Sequence, residues 1–292
     1  MSDTKFALLT ARAPLFVAGP DAGTFLQGLV SNDMDQVAPG RAVYAALLTA
    51  QGKFLHDFFV FERESGLVLD AEAARLDDLV RRLKLYKLRA KVEIAPLTDH
   101  VIVAIWGEGA EGVVAAVPGA APDPRLTAAG LRAILPVASA RETLAKAGFT
   151  EAAESDYDRH RLGLGLPDGS RDMEVDKAVL LECGFEELHG VDFQKGCYMG
   201  QELTARTKYR GLVKKRLMPV VIEGTAPPSG TPITFEGREA GEMRSGSGNA
   251  GIALVRLDAF DAARLAGVPM MAGDTPLSPW EPDWMTRPEK SA

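Results

Sequence analysis

Between Ala42 and Ala71 the chain writes three strands in immediate succession, joined by turns too short for a crossover. Ala42 to Thr49 is a β-prone run, Ala50-Gln51-Gly52 a turn, and Lys53 to Glu62 a second run. Glu64-Ser65-Gly66 then turns into a third, Leu67 to Ala71. Connections of this length join antiparallel neighbours, so the stretch commits to a meander. Leu76, Leu79, Val80 and Leu83 follow at i, i+3, i+4 and i+7, which predicts an amphipathic helix over 72–86. A meander closed by a helix makes the fold class α+β.

The flanks extend this pattern. Lys5 to Val17 reads as one or two strands broken at Arg12-Ala13-Pro14. Gly19-Pro20-Asp21 opens a short helix on Phe25, Leu26, Leu29 and Val30. Lys91 to Ile94 and Val101 to Trp106 are strands, and residues 107–150 are expected to hold a helix, a strand and a helix. Glu154 to Leu162 is helical, and Gly163 to Ser170 opens a long linker. After about Arg216 short β-rich runs (Leu217 to Ile222, Thr231 to Phe235, Gly251 to Leu257) alternate with Gly- and Pro-rich turns. That texture predicts a small C-terminal barrel or sandwich. The tail from Thr275 is expected to pack as an irregular strap. Gly246-Ser247-Gly248-Asn249-Ala250-Gly251 spells a dinucleotide fingerprint, but a strand follows where the fingerprint needs a helix, so a hairpin is expected.

A chain of 292 residues with 46% hydrophobic content is long enough for about two or three domains. Its net charge of −7 argues against stable nucleic-acid binding. No basic segment followed by a long apolar run opens the chain, and no apolar run reaches a membrane span. A cytoplasmic protein without a membrane partner is expected. Two cysteines, Cys183 and Cys197, and four scattered histidines give neither a disulfide framework nor zinc-ligand spacing, so no metal site is expected.

The chemistry concentrates in Lys195-Gly196-Cys197-Tyr198-Met199-Gly200-Gln201-Glu202. Lys195, two residues before Cys197, can lower the thiol pKa, and the glycines permit close backbone approach. Cys197 is then either a reactive or ligand-type thiolate or a structural cysteine in a Gly-rich turn. Cys183, among Leu180, Leu181 and Phe185, reads as core. Alternation along Lys53 to Phe61 places Asp57 on one face with Leu55, Phe59 and Phe61, a carboxylate that is either paired or perturbed and useful. Two basic clusters stand out. Arg81, Arg82, Lys84, Lys87, Arg89 and Lys91 read as a solvated helix face. Arg206, Lys208, Arg210, Lys214, Lys215 and Arg216 adjoin the cysteine motif and read as an anion-binding surface.

With these residues laid out, the chain resembles the YgfZ-type folate-binding proteins, iron–sulfur assembly relatives of the glycine cleavage T-protein (aminomethyltransferase). The motif 195–202 followed by Arg206 carries the resemblance. Phe25-Leu26-Gln27, Ser31-Asn32-Asp33 and Val43-Tyr44 through Gln51-Gly52-Lys53 to Asp57 carry it independently. The resemblance implies three domains in a ring around a central folate channel, the last a C-terminal β-barrel. Residues 1–215 would form the folate-binding region and 216–292 the barrel. It implies tetrahydrofolate or a derivative as cofactor, with Asp57 facing its reactive nitrogens, Glu182 on the pterin, and Tyr44 a further contact. Cys197 becomes the functional thiol, and Arg206 with the run after it a holder for the glutamate tail. The function implied is accessory to assembly or repair of [4Fe–4S] proteins, by a monomer that meets iron–sulfur client or assembly proteins. The alternative is a tetrahydrofolate-dependent aminomethyl- or one-carbon transferase with Asp57 as its acid–base group. His56 and Phe61 stand where aminomethyltransferases carry an acid and a tyrosine.

Overall fold

The computed structural model describes residues 4–211 and 213–287; Met1 to Asp3 of the opening stretch and Leu212 of the second basic run lie outside the described residues. In chain order the elements begin with β1 (Lys5–Leu9), β2 (Arg12–Ala18), α1 (Ala22–Gln27), β3 (Val43–Leu48), β4 (Phe54–Arg63) and β5 (Gly66–Glu72). Next come α2 (Leu76–Lys87), β6 (Glu93–Pro96), β7 (His100–Trp106), β8 (Ala121–Pro122), β9 (Leu131–Pro136), α3 (Ala140–Lys146) and β10 (Thr150–Glu151). After these follow α4 (Glu154–Gly163), α5 (Gly169–Asp172), α6 (Gln201–Tyr209), β11 (Lys215–Ile222), β12 (Pro232–Phe235), β13 (Arg238–Ser247) and β14 (Ala250–Arg256). Helix α7 (Leu257–Ala266) and strands β15 (Met270–Ala272) and β16 (Thr275–Pro279) complete the set.

Two compact units share these elements, and each is made of separate stretches. The first comprises Met1–Leu48, Leu55–Tyr157 and Leu188–Met199; the second Thr49–Phe54, Asp158–Glu187 and Gly200–Ala292. The first unit holds two five-stranded sheets. In one, the meander strands continue into the order β3-β4-β5-β2-β6. All six residues of β3 and the first eight of β4 are buried, because this sheet is covered on both faces. The other sheet has the order β10-β1-β7-β9-β8. Its core joins Phe6, Val103, Ile105, Leu131 and Leu135 to Leu144 of α3. The region 107–150 thus holds more strand than expected. Its first helix is a 3-10 turn (Ala110–Ala116), followed by β8, β9 and α3.

The second unit is built on a closed barrel, β11-β14-β13-β12-β15-β16, with β11 pairing β16 to complete the circle. Met218, Val220, Ile233, Met243, Val255, Met270 and Leu277 fill it. The fingerprint-like glycines form a two-residue hairpin, with Ser247 opposite Ala250 and Gly248 at φ +61. The tail expected as an irregular strap begins instead as a strand, Thr275–Pro279, which closes the barrel, and is irregular only over 280–287. Its prolines do not prevent pairing, since Val220 to Ile222 need the neighbour that completes the circle. Arg161 ties α4 to this barrel. Its Nη1 donates to Asp172 Oδ2 at 2.5 Å and its Nη2 to Ser245 Oγ at 2.8 Å, all three residues buried.

Candidate functional site

Strands β3 and β4 put Tyr44 and Asp57 together. The Tyr44 hydroxyl donates to Asp57 Oδ2 at 3.0 Å, with Tyr44 wholly buried and Asp57 2% exposed. Phe59, two residues on and so on the same face as Asp57, stacks on the Tyr44 ring at 4.9 Å between centroids. Burial pushes the Tyr44 phenol well above its usual range, and the Asp57 carboxylate adds to this; the Arg125 guanidinium partly offsets both. Tyr44 is therefore a permanent hydrogen-bond donor to this carboxylate.

Around the pair runs a buried ionic network absent from the sequence reading. Arg132 donates from Nη1 to Asp70 Oδ2 (2.6 Å), from Nε to Asp123 Oδ2 (3.0 Å) and from Nη2 to the Tyr157 hydroxyl (3.0 Å). Arg12 donates to Asp70 from the other side. Arg125 holds Asp123 in a fork, Nε to Oδ1 at 3.0 Å and Nη2 to Oδ2 at 2.8 Å. Burial alone would raise the Asp123 carboxyl, but Arg125 and Arg132 overcome it and hold it well below the carboxylate range. The guanidinium carbons of Arg132 and Arg125 lie 3.8 and 4.8 Å from the Phe59 ring centroid, and that of Arg125 lies 5.4 Å from the Tyr44 ring centroid. The Tyr44–Asp57 pair thus rests on a platform fixed by charge. One available signal was a lone charged residue inside an apolar strand: Asp70 in Leu67 to Ala71, and Arg132 in Leu131 to Leu135.

Lys195 to Met199 of the cysteine motif lie on a loop of the same unit, whereas Gly200 to Glu202 cap and open α6 in the second unit. Cys197 is exposed. Lys195 is buried, and its Nζ donates to three main-chain carbonyls: Gln27 (2.9 Å), Val30 (2.8 Å) and Asn32 (2.6 Å). Burial pulls this ammonium down to about 8, against Asp33, Asp192 and Asp35, which favour its charge. The ammonium expected to act on the thiol is thus engaged by carbonyls at the end of α1 and just after it. Asp192 folds the loop over itself, accepting from the backbone N–H of Gln194 (2.6 Å) and Lys195 (3.1 Å).

Ser31 and Asn32 bind this loop to the strand that carries Tyr44. Asn32 Nδ2 donates to the carbonyls of Tyr44 and His189, both at 2.7 Å. Ser31 Oγ donates to Gly190 O at 2.6 Å and accepts from Ala46 N at 2.9 Å. Beside them opens a cavity of about 260 Å³ lined by Asn32, Gln36, Arg41, Tyr44, Pro124 and His189.

The remaining expected residues belong to the second unit. Glu182 stands in a 3-10 turn (Leu180–Cys183), half-buried, its carboxyl raised by burial while Lys53, Lys215 and Arg216 act the other way. Cys183 is buried, and desolvation, with Glu182 beside it, pushes its thiol up. Arg206 pairs with Glu202 one turn earlier on α6, both exposed. In the same run Lys208 pairs with Glu186, and Arg216 with Glu187 at 2.8 Å. Gly52, at φ +74, packs against the start of α6: a Cβ there would lie 2.7 Å from Gly200 O and from Leu203 Cβ. Among the described residues, no three His, Cys, Asp or Glu side chains are grouped to hold a metal ion.

Comparison with known proteins gives this arrangement a context. Residues 11–151 match the GCVT N-terminal domain, and residues 214–287 the CAF17 C-terminal beta-barrel domain. The chain is 35% identical to the human protein named iron–sulfur cluster assembly factor IBA57, mitochondrial, over 85% of this chain and 76% of that one. A homolog from Mycosarcoma maydis is 32% identical over 88% of this chain and 75% of its own length. Among solved structures, the glycine cleavage aminomethyltransferase T of Bartonella henselae superposes with a TM-score of 0.77, covering 97% of this chain and 87% of that one. At 17% identity that likeness shows the fold: mixed α and β, closing in a six-stranded barrel. The expectation of a cytoplasmic protein is corrected by the relatives, which are mitochondrial by name and point to the mitochondrion instead. Two unbridged cysteines suit any reducing compartment, so they could not separate the two.

Proposed function

This chain belongs to the family of IBA57 iron–sulfur cluster assembly factors, and on that premise we propose that it serves assembly or repair of [4Fe–4S] proteins through the Cys197 thiol while binding a tetrahydrofolate. The observation that carries this reading is the contrast between the cysteines: Cys183 is buried, whereas Cys197 is exposed on a loop anchored by Lys195. A thiol held out in this way can meet an iron–sulfur client or assembly protein and ligate iron transiently. Fe–S centres are usually held by about four ligands, so the cluster is cargo shared with a partner rather than a resident group.

The residues present suit a folate. A pterin offers amide and amino N–H donors, and a carboxylate accepts both. Glu182, half-buried among Lys53, Lys215 and Arg216, is such an acceptor. Asp57, oriented by Tyr44, would face the reactive ring nitrogens, which are what tetrahydrofolate supplies to one-carbon chemistry when bound. Arg206 would exchange Glu202 for a carboxylate of the glutamate tail. The finer assignment to the YgfZ-type proteins, and the division into residues 1–215 for folate and 216–292 for the barrel, are part of the same proposal. The test is made in cells lacking the protein, with a [4Fe–4S] enzyme and glycine cleavage assayed side by side. Restoration of the cluster enzyme alone supports the reading. Restoration of glycine cleavage alone would refute it in favour of aminomethyl transfer at Asp57.

A further inference from the structure

The end of α2 carries three features that a merely solvated helix face does not need. Large apolar side chains stand open: Leu85 is 64% exposed, Tyr86 44% and Leu88 89%. Six cations (Arg81, Arg82, Lys84, Lys87, Arg89 and Lys91) fall between Asp78 and Glu93 with no acid among them, in a chain of net charge −7. Leu88 also sits in a strained backbone, at φ +45 and ψ −108. With Ala90 N donating to Lys87 O at 2.8 Å, Leu88 takes the first central position of a II′-type turn, where glycine is the ordinary residue. The fold thus holds its most exposed side chain of this group in a costly conformation, which points to a use for that side chain outside the fold.

We propose that the tip formed by Leu85, Tyr86 and Leu88 with Lys84, Lys87, Arg89 and Lys91 attaches the protein peripherally to an anionic phospholipid bilayer. The apolar side chains would enter the headgroup–acyl boundary and the cations would meet lipid phosphates. Three observations favour lipid over a protein partner. Arg81 and Arg82 already pair with Asp78, so three of the four cations left for a ligand are lysines, a residue depleted from protein interfaces. Long basic side chains interleaved with apolar ones suit a surface where the chain buries its stem and keeps its charge at the headgroups. The apolar residues are too few for a protein interface, whose ordinary size is about 20–30 residues a side. This attachment needs no spanning helix, and none of the described helices is long and apolar enough to be one.

The full chain is sedimented with vesicles of phosphatidylcholine alone and with vesicles that also contain phosphatidylglycerol. Binding to the second set only is expected, weakened by salt. Leu85→Ser with Leu88→Ser, and separately Lys84→Glu with Arg89→Glu, are each expected to weaken it about tenfold or more. Leu88→Gly provides a control for folding: it relieves the backbone, so the melting temperature should hold or rise while binding falls. Absence of binding by the wild type overturns the proposal. So does binding that the tip variants leave unchanged. If the variants instead abolish a dimer seen by light scattering, the occupant is a second copy and the proposal fails.

Discussion

Lys195 and Cys197 are two residues apart, yet one is buried and the other exposed. The Lys195 ammonium gathers the carbonyls of Gln27, Val30 and Asn32. Lys195→Met should therefore cost about 2–4 kcal/mol in urea unfolding, because the carbonyls lose a charged donor in a buried place. If the lysine served the thiol alone, stability would be unchanged and only thiol alkylation would slow. Asp123 gives a prediction with a sign. Its folded pKa lies below its unfolded value, so the native state binds fewer protons there. Its contribution is complete above the ordinary carboxylate pKa of about 3.9 and is lost as pH falls through that value toward the folded one. Asp123→Asn should flatten the acid limb of the stability curve. It should also cost about 3–5 kcal/mol at neutral pH by removing a counter-charge shared by the buried Arg125 and Arg132 guanidiniums.

At the level of elements, regular patterns were readable and irregular ones were not. The meander, α2 and the barrel texture follow from alternation, helical spacing and turns. β13 does not, because Arg238-Glu239-Ala240-Gly241-Glu242 lacks the apolar run that marks a strand; it pairs because β12 and β14 flank it. α7 was hidden because Leu257 closes one apolar run and begins another element. Asp57 could be singled out as a charge on an apolar face. Its setting could not, since the Arg12–Asp70 and Arg132–Asp70 contacts join residues about sixty positions apart, and pairwise spacing carries no trace of such contacts. Gly52 shows the reverse: a turn residue whose need for glycine comes from a distant helix. Gly52→Ala adds a Cβ against Gly200 O at positive φ, and about 2–4 kcal/mol of destabilisation is expected by urea titration. A stability within about half a kcal/mol of wild type would mean that the turn and α6 relax freely.

For the whole molecule, the order of the chain is not the order of its units. The second unit takes Thr49–Phe54 and Asp158–Glu187 as well as everything from Gly200. A barrel cut out as residues 214–292 would lose Arg161 and Asp172, the buried partners of Ser245. It should melt well below the intact chain, and a peptide of residues 158–187 added in trans should raise its melting temperature. A fragment as stable as the parent would show the barrel to be autonomous. The sequence change near Arg216 marks where the barrel strands begin, while the unit that contains them begins much earlier in the chain.

The most direct test of the functional account is rescue of a [4Fe–4S] enzyme in cells lacking the protein, comparing wild type, Cys183→Ala and Cys197→Ser at equal folded abundance. The exposed thiol is expected to decide the outcome. Wild type and Cys183→Ala should restore the enzyme, and Cys197→Ser should leave it near the level of the deletion. Rescue by Cys197→Ser equal to wild type would contradict the account and remove the thiol from the function.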